Sequence, residues 1–451
     1  MGQSLESSDL SRTQKQYSLN SIQAEAVEHC LRMPSVLLVA DKGAGKTRVG
    51  LAVAAESGGR VLILCPNKVR GGWLKEGKKI ARRVDVIEGT AQQRMDTIAL
   101  SAACIFVMGV DLIPWLCEEY RWLPFDGLIL DETTRYSKPG SSGVKKLRAK
   151  RPKLEWTLGL TASPVMENPL ALYGQAVVLD GGASLGRSFD RYKQQYFMQM
   201  DYKGYDFQLR PGADTELAVA VAGLVHFMVD TSYADSLVPL TEELVYVEPP
   251  AVMWELYEEM AEKLVMDLDG TEIEAANAAV VSGKLEQLTQ GAVYDGKSAH
   301  RWVHHAKFNK LWSLMKESGD EPVIITYHYI YELERLRHMF PHGRDLKDDG
   351  ALDAFNDGAI HLLFMHPRSG AHGIEAQARC CEMICLKPIW SADGWDQIIG
   401  RIRRRGQTRP CRRRTLVVAG SIDEVIFDRV VGKEGIGVSL LGHLKAKAHT
   451  L

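Results

Sequence analysis

The sequence predicts an α/β chain: two parallel-sheet domains in tandem, with helical insertions between them. Three observations carry that prediction. Short apolar, β-rich runs alternate with helical stretches over the first 240 residues. Between 185 and 310 the pattern changes to long polar–apolar segments at helical spacing, and after 310 the strand signal returns. The 451 residues are 45% apolar and 25% charged with a net charge of −2, an ordinary globular composition that excludes bulk disorder. At about 100–200 residues per domain, the length suits two or three domains.

In chain order, the expected strands of the first domain are SVLLV (35–39), VLILC (61–65), IFVM (105–108), GLIL (127–130) and WTLGL (156–160). Those of the second are PVIIT (322–326), IHLLF (360–364), MICL (383–386) and TLVVA (415–419). Each is a short apolar run with helical sequence on either side, the pattern of a strand covered on both faces. WELYEEMAEKLVMDL (254–268) and IEAANAAVVSGKLEQL (273–288) read as helices. The expected division is 1–240, with a helical protrusion after about 185, and 241–451, with a helical segment at about 250–310. The longest apolar stretch, LAVAVAGLVHFMV (217–229), is shorter than the ~18–20 residues a membrane span needs. No signal-peptide core opens the chain, so a cytoplasmic protein with no membrane partner is expected.

The eight cysteines form no CxxC pair and several stand in apolar runs, which reads as packed thiols rather than zinc ligands or disulfides. The adjacent His304 and His305 read as packing or surface residues rather than as a metal site. Charge is unevenly spread. VKKLRAKRPK (144–153) holds six basic residues in ten and RIRRRGQTRPCRRR (401–414) eight in fourteen. Such runs suit either a solvated face or a polyanion.

The strongest local signal is SVLLVADKGAGKTRVGLAVAA, a strand, a glycine-bearing loop and an apolar helix. Gly43 and Gly45 let backbone N–H groups turn toward an anion at the helix N-terminus. Lys46 would reach the β- and γ-phosphates of a nucleotide, and the Thr47 hydroxyl would complete a Mg²⁺ shell. The loop departs from GxxxxGK[ST] only at Ala40, where the first glycine would stand. At the tip of the strand GLIL, Asp131 suits a water-mediated Mg²⁺ contact and Glu132 the activation of an attacking water. Arg401 and Arg404, i and i+3 on an expected helix, would project from one face and stabilise charge on a transferring phosphoryl group. The flanking Arg403, Arg405 and Arg412 to Arg414 read as solvated or phosphate-contacting.

The order of motifs from about Tyr17 to Lys433 resembles superfamily 2 helicases, and among them the Swi/Snf-type ATPases, especially compact stand-alone forms such as those of bacteriophages. YSLNSIQAEAV, ADKGAGKT, LILCPNKVRGGWLKE, FVMGV, GLTASP followed by Asn168 and Leu172-Tyr173, PVIITYH, FNDG and HPRSGAHGIEAQ follow the family's sequence of motifs. The most specific is IWSADGWDQIIGRIRRRGQTRP, where Gln397, Arg401, Arg404, Gly406 and Gln407 keep the spacing Q-x(3)-R-x(2)-R-x-G-Q; SIDEVI (421–426) matches the start of the helix that follows.

The resemblance implies two RecA-like lobes, ATP and Mg²⁺ as cofactors, DNA as partner, and a cytoplasmic setting in a bacterial cell or a phage-infected host. Gln23 would read adenine, and Asp41 and Ala44 would belong to the nucleotide loop. Thr161, Ser163 and Gln397 would couple hydrolysis to movement. A DNA groove would use Lys68, Arg70, Gly109, Lys138, the 145–153 run, Gly370 and Trp390. Two departures stand out: Thr133-Thr134 stand where a small residue and a histidine often follow the acidic pair, which leaves hydrolysis expected and the histidine's coupling route open, and Met108 replaces a usual threonine. The expected activity is an ATP-dependent DNA translocase. The alternatives are a strand-separating helicase, for which no wedge is visible, and a DNA-binding assembly protein switched by nucleotide.

Overall fold

The computed structural model describes residues 17–430 apart from 42, 80–82, 165–168, 201–206, 230–235, 264, 269–270, 275–277, 296–298, 368–374 and 429. The chain divides into two compact units at 234/235. Among the described residues, no helix is long and apolar enough to cross a membrane.

In the first unit, α1 (Ser21–Arg32) leads into β1 (Ser35–Ala40), α2 (Lys46–Glu56), β2 (Val61–Cys65), α3 (Arg70–Gly77) and β3 (Val84–Ile87). Then come α4 (Ala91–Leu100), β4 (Ile105–Gly109), α5 (Ile113–Glu119), β5 (Gly127–Asp131), α6 (Ser142–Lys150) and β6 (Trp156–Thr161). The unit ends with α7 (Ala171–Asp180), α8 (Phe189–Tyr196), β7 (Phe197–Gln199), β8 (Phe207–Leu209), α9 (Ala213–Val221) and β9 (Val225–Met228). Seven strands make one sheet in the order β3-β4-β2-β5-β6-β1-β9, and every pairing in it is parallel.

Side chains alternate across each strand, so an unbroken apolar run must be covered on both faces. Leu37, Leu62, Phe106 and Leu128 enter one core, under helices that include α7 and α9. Their neighbours Val36, Ile63, Val107 and Ile129 enter the other, with α1, α2 and Trp73. The apolar stretch 217–229 is accounted for here: it closes α9, turns, and adds β9 beside β1 at the sheet edge.

The second unit opens with β10 (Leu240–Tyr246), α10 (Ala251–Lys263), β11 (Val265–Leu268), β12 (Thr271–Glu274), α11 (Ala278–Gln290), β13 (Ala292–Tyr294) and β14 (His300–Trp302). It continues with α12 (Ala306–Ser318), β15 (Val323–Thr326), α13 (Ile330–Met339), β16 (Arg344–Asp345), α14 (Ala351–Asn356), β17 (Leu362–Met365), β18 (Glu382–Cys385), α15 (Ala392–Ile399) and β19 (Cys411–Val417). Its six-stranded sheet, β10-β19-β18-β15-β17-β16, is again parallel throughout. The chain therefore has the expected class, two parallel-sheet α/β units in tandem.

Three expectations need correction. The stretch 185–310 is not mainly helical, because antiparallel pairs β7–β8, β11–β12 and β13–β14 are interleaved with its helices. An Asp-Gly pair stands in the sequence between β11 and β12, the composition of a tight hairpin, and a helical spacing count overlooks it. Next, the helix before the arginine run stops at Ile399, so Arg401 and Arg404 lie in the turns that follow rather than on a helical face.

Finally, Arg412 to Arg414 belong to β19, where Arg412 is exposed as expected but Arg413 and Arg414 are buried and neither solvated nor open to phosphate. Arg414, 1% exposed, meets Glu317 at 3.0 Å, Ser318 Oγ at 2.6 Å and the carboxylate of Glu382. Arg413 pairs with Glu242, donates to Trp395 O at 2.7 Å and stacks on the Trp395 ring at 3.9 Å. Arg412 reaches Glu382 at 3.0 Å. A buried guanidinium is tolerated only with such partners, and these come from α12, β10 and β18, remote in sequence.

The cysteines are all free thiols, six of them buried, and burial pushes the Cys65 thiol up to about 12. His304 is buried with Nε2 2.9 Å from Leu288 O, and burial lowers its pKa to about 4. His305 packs on Trp302, so both histidines serve packing.

Candidate functional site

In a parallel sheet every strand ends at the same edge, and the loops after those ends are where such folds bind ligands. In the first unit the loops after β1, β2, β4, β5 and β6 open at that edge. These strand ends and the segments that follow them carry Asp41 to Thr47, Lys68 and Arg70, Gly109, Asp131 and Glu132, and Thr161 and Ser163 respectively.

The loop after β1 is built from two left-handed glycines, Gly43 at φ +88° and Gly45 at φ +93°. A side chain at Gly45 would be strained at that φ, and its Cβ would stand 2.3 Å from Gln23 Nε2. Gly45 stands at the N-cap of α2 and, lacking a side chain, gives the first-turn amides no capping hydrogen bond of its own. Gln23 holds the loop from behind. Its Nε2 donates to Ala44 O at 2.8 Å, while its Oε1 accepts from Asn20 N at 3.1 Å in the capping box that starts α1. Gln23 is thus brought to the loop backbone by its Nε2, while its Oε1 is engaged at the α1 cap. Lys46 folds over the loop and donates to Ala40 O at 2.7 Å and Asp41 O at 3.1 Å.

Two strands away, β5 ends at Asp131. Trp73 Nε1, from α3, donates to Asp131 Oδ2 at 2.8 Å. Burial among the strand ends pushes the Asp131 carboxyl above its ordinary pKa, against the pull of the Trp73 hydrogen bond and of Lys46. Trp73, 1% exposed, also packs against α2, since a Cβ on Gly50 would stand 3.0 Å from its ring. It therefore bridges the acidic strand end and the loop helix, a role its place in the sequence motif did not disclose. Glu132 has φ +55° and ψ +66°, one of two described non-glycine residues at positive φ. Backbone strain of this kind collects at functional sites, where the surroundings hold it.

The remaining predicted residues are distributed as follows. Thr161, at the end of β6, accepts from Ser163 N at 3.2 Å. Gly109 is fixed by sterics, because a Cβ there would overlap Asn67 Oδ1 at 1.8 Å. Asn67 in turn donates to Asp111, tying the β2 and β4 loops together. Lys68 and Lys138 are exposed, whereas Arg70 is paired with Glu88 at 2.9 Å.

The basic run 145–153 is largely committed to the fold. Lys146 pairs with Glu118, Arg148 donates to Arg187 O at 2.8 Å, and Lys150 donates to Tyr120 O at 2.7 Å. Arg151 donates to Leu154 O at 2.9 Å, to Ser35 Oγ at 2.9 Å and to Leu179 O.

In the second unit Gln397 is buried on α15, and Arg404 pairs with Glu375 at 3.1 Å. Trp390, 37% exposed, donates Nε1 to Glu286 Oε1 at 2.6 Å, and the other oxygen of Glu286 meets Lys387. The α11 carboxylate thus anchors one edge of the indole while part of the ring stays at the surface. Gly370 and Asn168 lie outside the described residues.

This set has the chemistry for a magnesium–nucleotide complex. A helix N-terminus without a side-chain cap, with the Lys46 ammonium at the same loop, suits a polyphosphate, and the Thr47 hydroxyl and Asp131 carboxylate are the hard oxygen donors magnesium takes. Among the described residues, no cluster of three or more His, Cys, Asp or Glu could hold a metal on its own.

No family model matches the chain. A protein called p41 from Acyrthosiphon pisum secondary endosymbiont phage 1 is 29% identical over 450 residues, 93% of this chain and 97% of that protein. The DNA repair and recombination protein RAD54-like of Drosophila virilis is 24% identical over 140 residues, 28% of this chain and 18% of its own length. The Saccharomyces cerevisiae DNA repair and recombination protein RAD54 is 25% identical over 142 residues, again 28% of this chain and 16% of its own length. Among solved structures, the Sulfolobus solfataricus SWI2/SNF2 ATPase core in complex with dsDNA matches with a TM-score of 0.43 and 17% identity, over 94% of this chain and 93% of that one. The chain resembles the Swi/Snf-type superfamily 2 ATPases, the family of the RAD54 proteins.

Proposed function

We propose that the chain is a nucleic-acid-stimulated ATPase that couples hydrolysis to movement along DNA, an ATP-dependent translocase acting in replication, recombination or repair. One observation carries the nucleotide half of this reading: an uncapped helix N-terminus behind left-handed Gly45 shares a sheet edge with Asp131 and the strained Glu132. The DNA half is supported by the partial likeness to RAD54 proteins of DNA repair and recombination. The full-length likeness to a phage protein suits a cytoplasmic setting in a bacterial or phage-infected cell.

In this reading the amides at the start of α2 and the Lys46 ammonium bind and orient the phosphates. Lys46 exchanges its loop carbonyls, Ala40 O and Asp41 O, for phosphate oxygens. Thr47 and Asp131 would hold magnesium, which when bound neutralises phosphate charge, and the Trp73 hydrogen bond keeps the Asp131 carboxylate aimed. Glu132 takes a proton from the attacking water, while Arg401 and Arg404 supply positive charge to the transferring group. Gln23 acts by bracing the loop through Ala44, in addition to any contact with the base. Thr161, Ser163 and Gln397 transmit the hydrolytic state. Lys68, Arg70, Gly109, Lys138, Gly370 and Trp390 track the DNA backbone, contacts that carry little sequence information and suit a motor.

The test is steady-state ATP turnover without nucleic acid and then with duplex DNA, single-stranded DNA or RNA. Duplex stimulation is expected, and a Glu132→Gln variant should bind ATP while losing turnover by about 10²-fold or more. Stimulation by single strands alone would favour a strand-separating helicase. Wild-type turnover by Glu132→Gln would remove that residue from the role of base.

A further inference from the structure

The segment after Asp131 reads Glu-Thr-Thr, and the first threonine has an unexpected place. Thr133 is fully buried and donates Oγ1 to Gln175 Oε1 at 2.7 Å. Gln175, 1% exposed on α7, donates Nε2 to Pro164 O at 2.7 Å and to Ala171 O at 3.1 Å. Both carbonyls only accept, so the amide nitrogen must face them and the amide oxygen must face the threonine. The pair is satisfied in one orientation.

Two glycines make room for it. A Cβ on Gly159, in β6, would stand 2.6 Å from the Thr133 methyl and 2.8 Å from Leu179. A Cβ on Gly174 would stand 2.2 Å from Tyr136 O and 2.7 Å from Ser137 O, so α7 lies directly on the backbone of the turn that Glu132 opens. One buried polar pair therefore joins three segments: the Glu132 turn, α7, and the residues that follow β6.

The left-handed backbone of Glu132 costs of order 1–3 kcal/mol unless its surroundings hold it. Any relaxation there displaces the adjoining Thr133. Thr133 cannot move alone, because an orphaned buried hydroxyl or amide costs about 1–3 kcal/mol. Gln175 and Pro164 must follow.

We propose that Thr133 and Gln175 are positioning residues that transmit the state of the Glu132 turn to the segment Thr161–Pro164. The proposal rests on the ATPase reading above and supplies a coupling route where the sequence lacks the usual histidine. Neither residue touches nucleotide; both act through the backbone of others.

The full-length protein tests it with Thr133→Val, which keeps shape and removes the hydroxyl, Gln175→Met, which keeps length and removes the amide, and Thr133→Ser, which restores the hydroxyl. With saturating duplex DNA, kcat should fall about tenfold in the Val and Met variants while KM for ATP stays within about twofold. The double variant should lose no more than either single one, and Thr133→Ser should recover most of the wild-type kcat. Wild-type kcat in Val and Met overturns the proposal, as does a loss carried by KM or a Ser variant as slow as Val. If Thr133→Val does not fold, Gln175→Met and Thr133→Ser decide the matter. A wild-type protein without ATP turnover would instead defeat the functional reading itself, and the coupling role with it.

Discussion

Asp131 shows how one residue trades stability against a task. Burial raises its carboxyl pKa in the folded chain, so between the unfolded and folded values the native state holds a proton that the unfolded state has released. The stabilising contribution is complete below the unfolded pKa and is lost as pH rises through the folded one. At neutral pH the buried carboxylate is therefore a net cost, relieved in part by Trp73 and Lys46. Asp131→Asn keeps an oxygen for the Trp73 N–H and removes the charge. It should raise Tm by a few degrees at pH 7 without nucleotide, with the gain shrinking toward pH 4, while magnesium-dependent turnover is lost. Thermal melts across that pH range check the sign. An equal Tm for both proteins at pH 7 would mean the carboxylate is better solvated than its surroundings indicate.

At the scale of elements, α6 and the turn behind it show that a basic run can be structural. Arg151 gathers the carbonyl oxygens of Leu154 and Leu179 and the hydroxyl of Ser35, which ties the turn after α6 to the start of β1 and the end of α7. Removing a charged donor that satisfies several part-buried acceptors typically costs about 2–4 kcal/mol. Arg151→Ala should accordingly lower Tm by several degrees and leave the salt dependence of DNA binding as it was. A salt slope reduced by about one with an unchanged Tm would return Arg151 to the list of phosphate contacts. The exposed Lys68 and Lys138 are the better places to look for such contacts.

For the whole molecule, the proposed activity draws on residues of both units. The first unit supplies the helix N-terminus, Lys46, Thr47, Asp131 and Glu132, and the second supplies Arg401 and Arg404. An Arg401→Ala, Arg404→Ala double variant should still bind ATP, because the phosphate loop is intact, and should lose about 10³-fold or more in stimulated turnover. Comparing a fluorescent nucleotide's affinity with turnover in the same preparation separates the two effects. A loss of affinity equal to the loss of turnover would assign these arginines to ground-state binding.

The sequence by itself determined the strands and their class. Runs such as VLILC and IFVM are apolar at every position, which suits a strand covered on both faces, and they lie side by side in the interior of the first parallel sheet. It also located the glycine loop and the acidic strand tip, because backbone conformation and charge at a strand end are local properties. The partners of those groups were decided by tertiary structure alone. Gln23 reaching Ala44, Trp73 reaching Asp131, Thr133 reaching Gln175 and Arg414 reaching Glu317 each join residues 21 to 97 positions apart. Nothing in local spacing encodes such pairs. They exist because a buried polar group is costly without a partner, and only the folded chain determines which one is near.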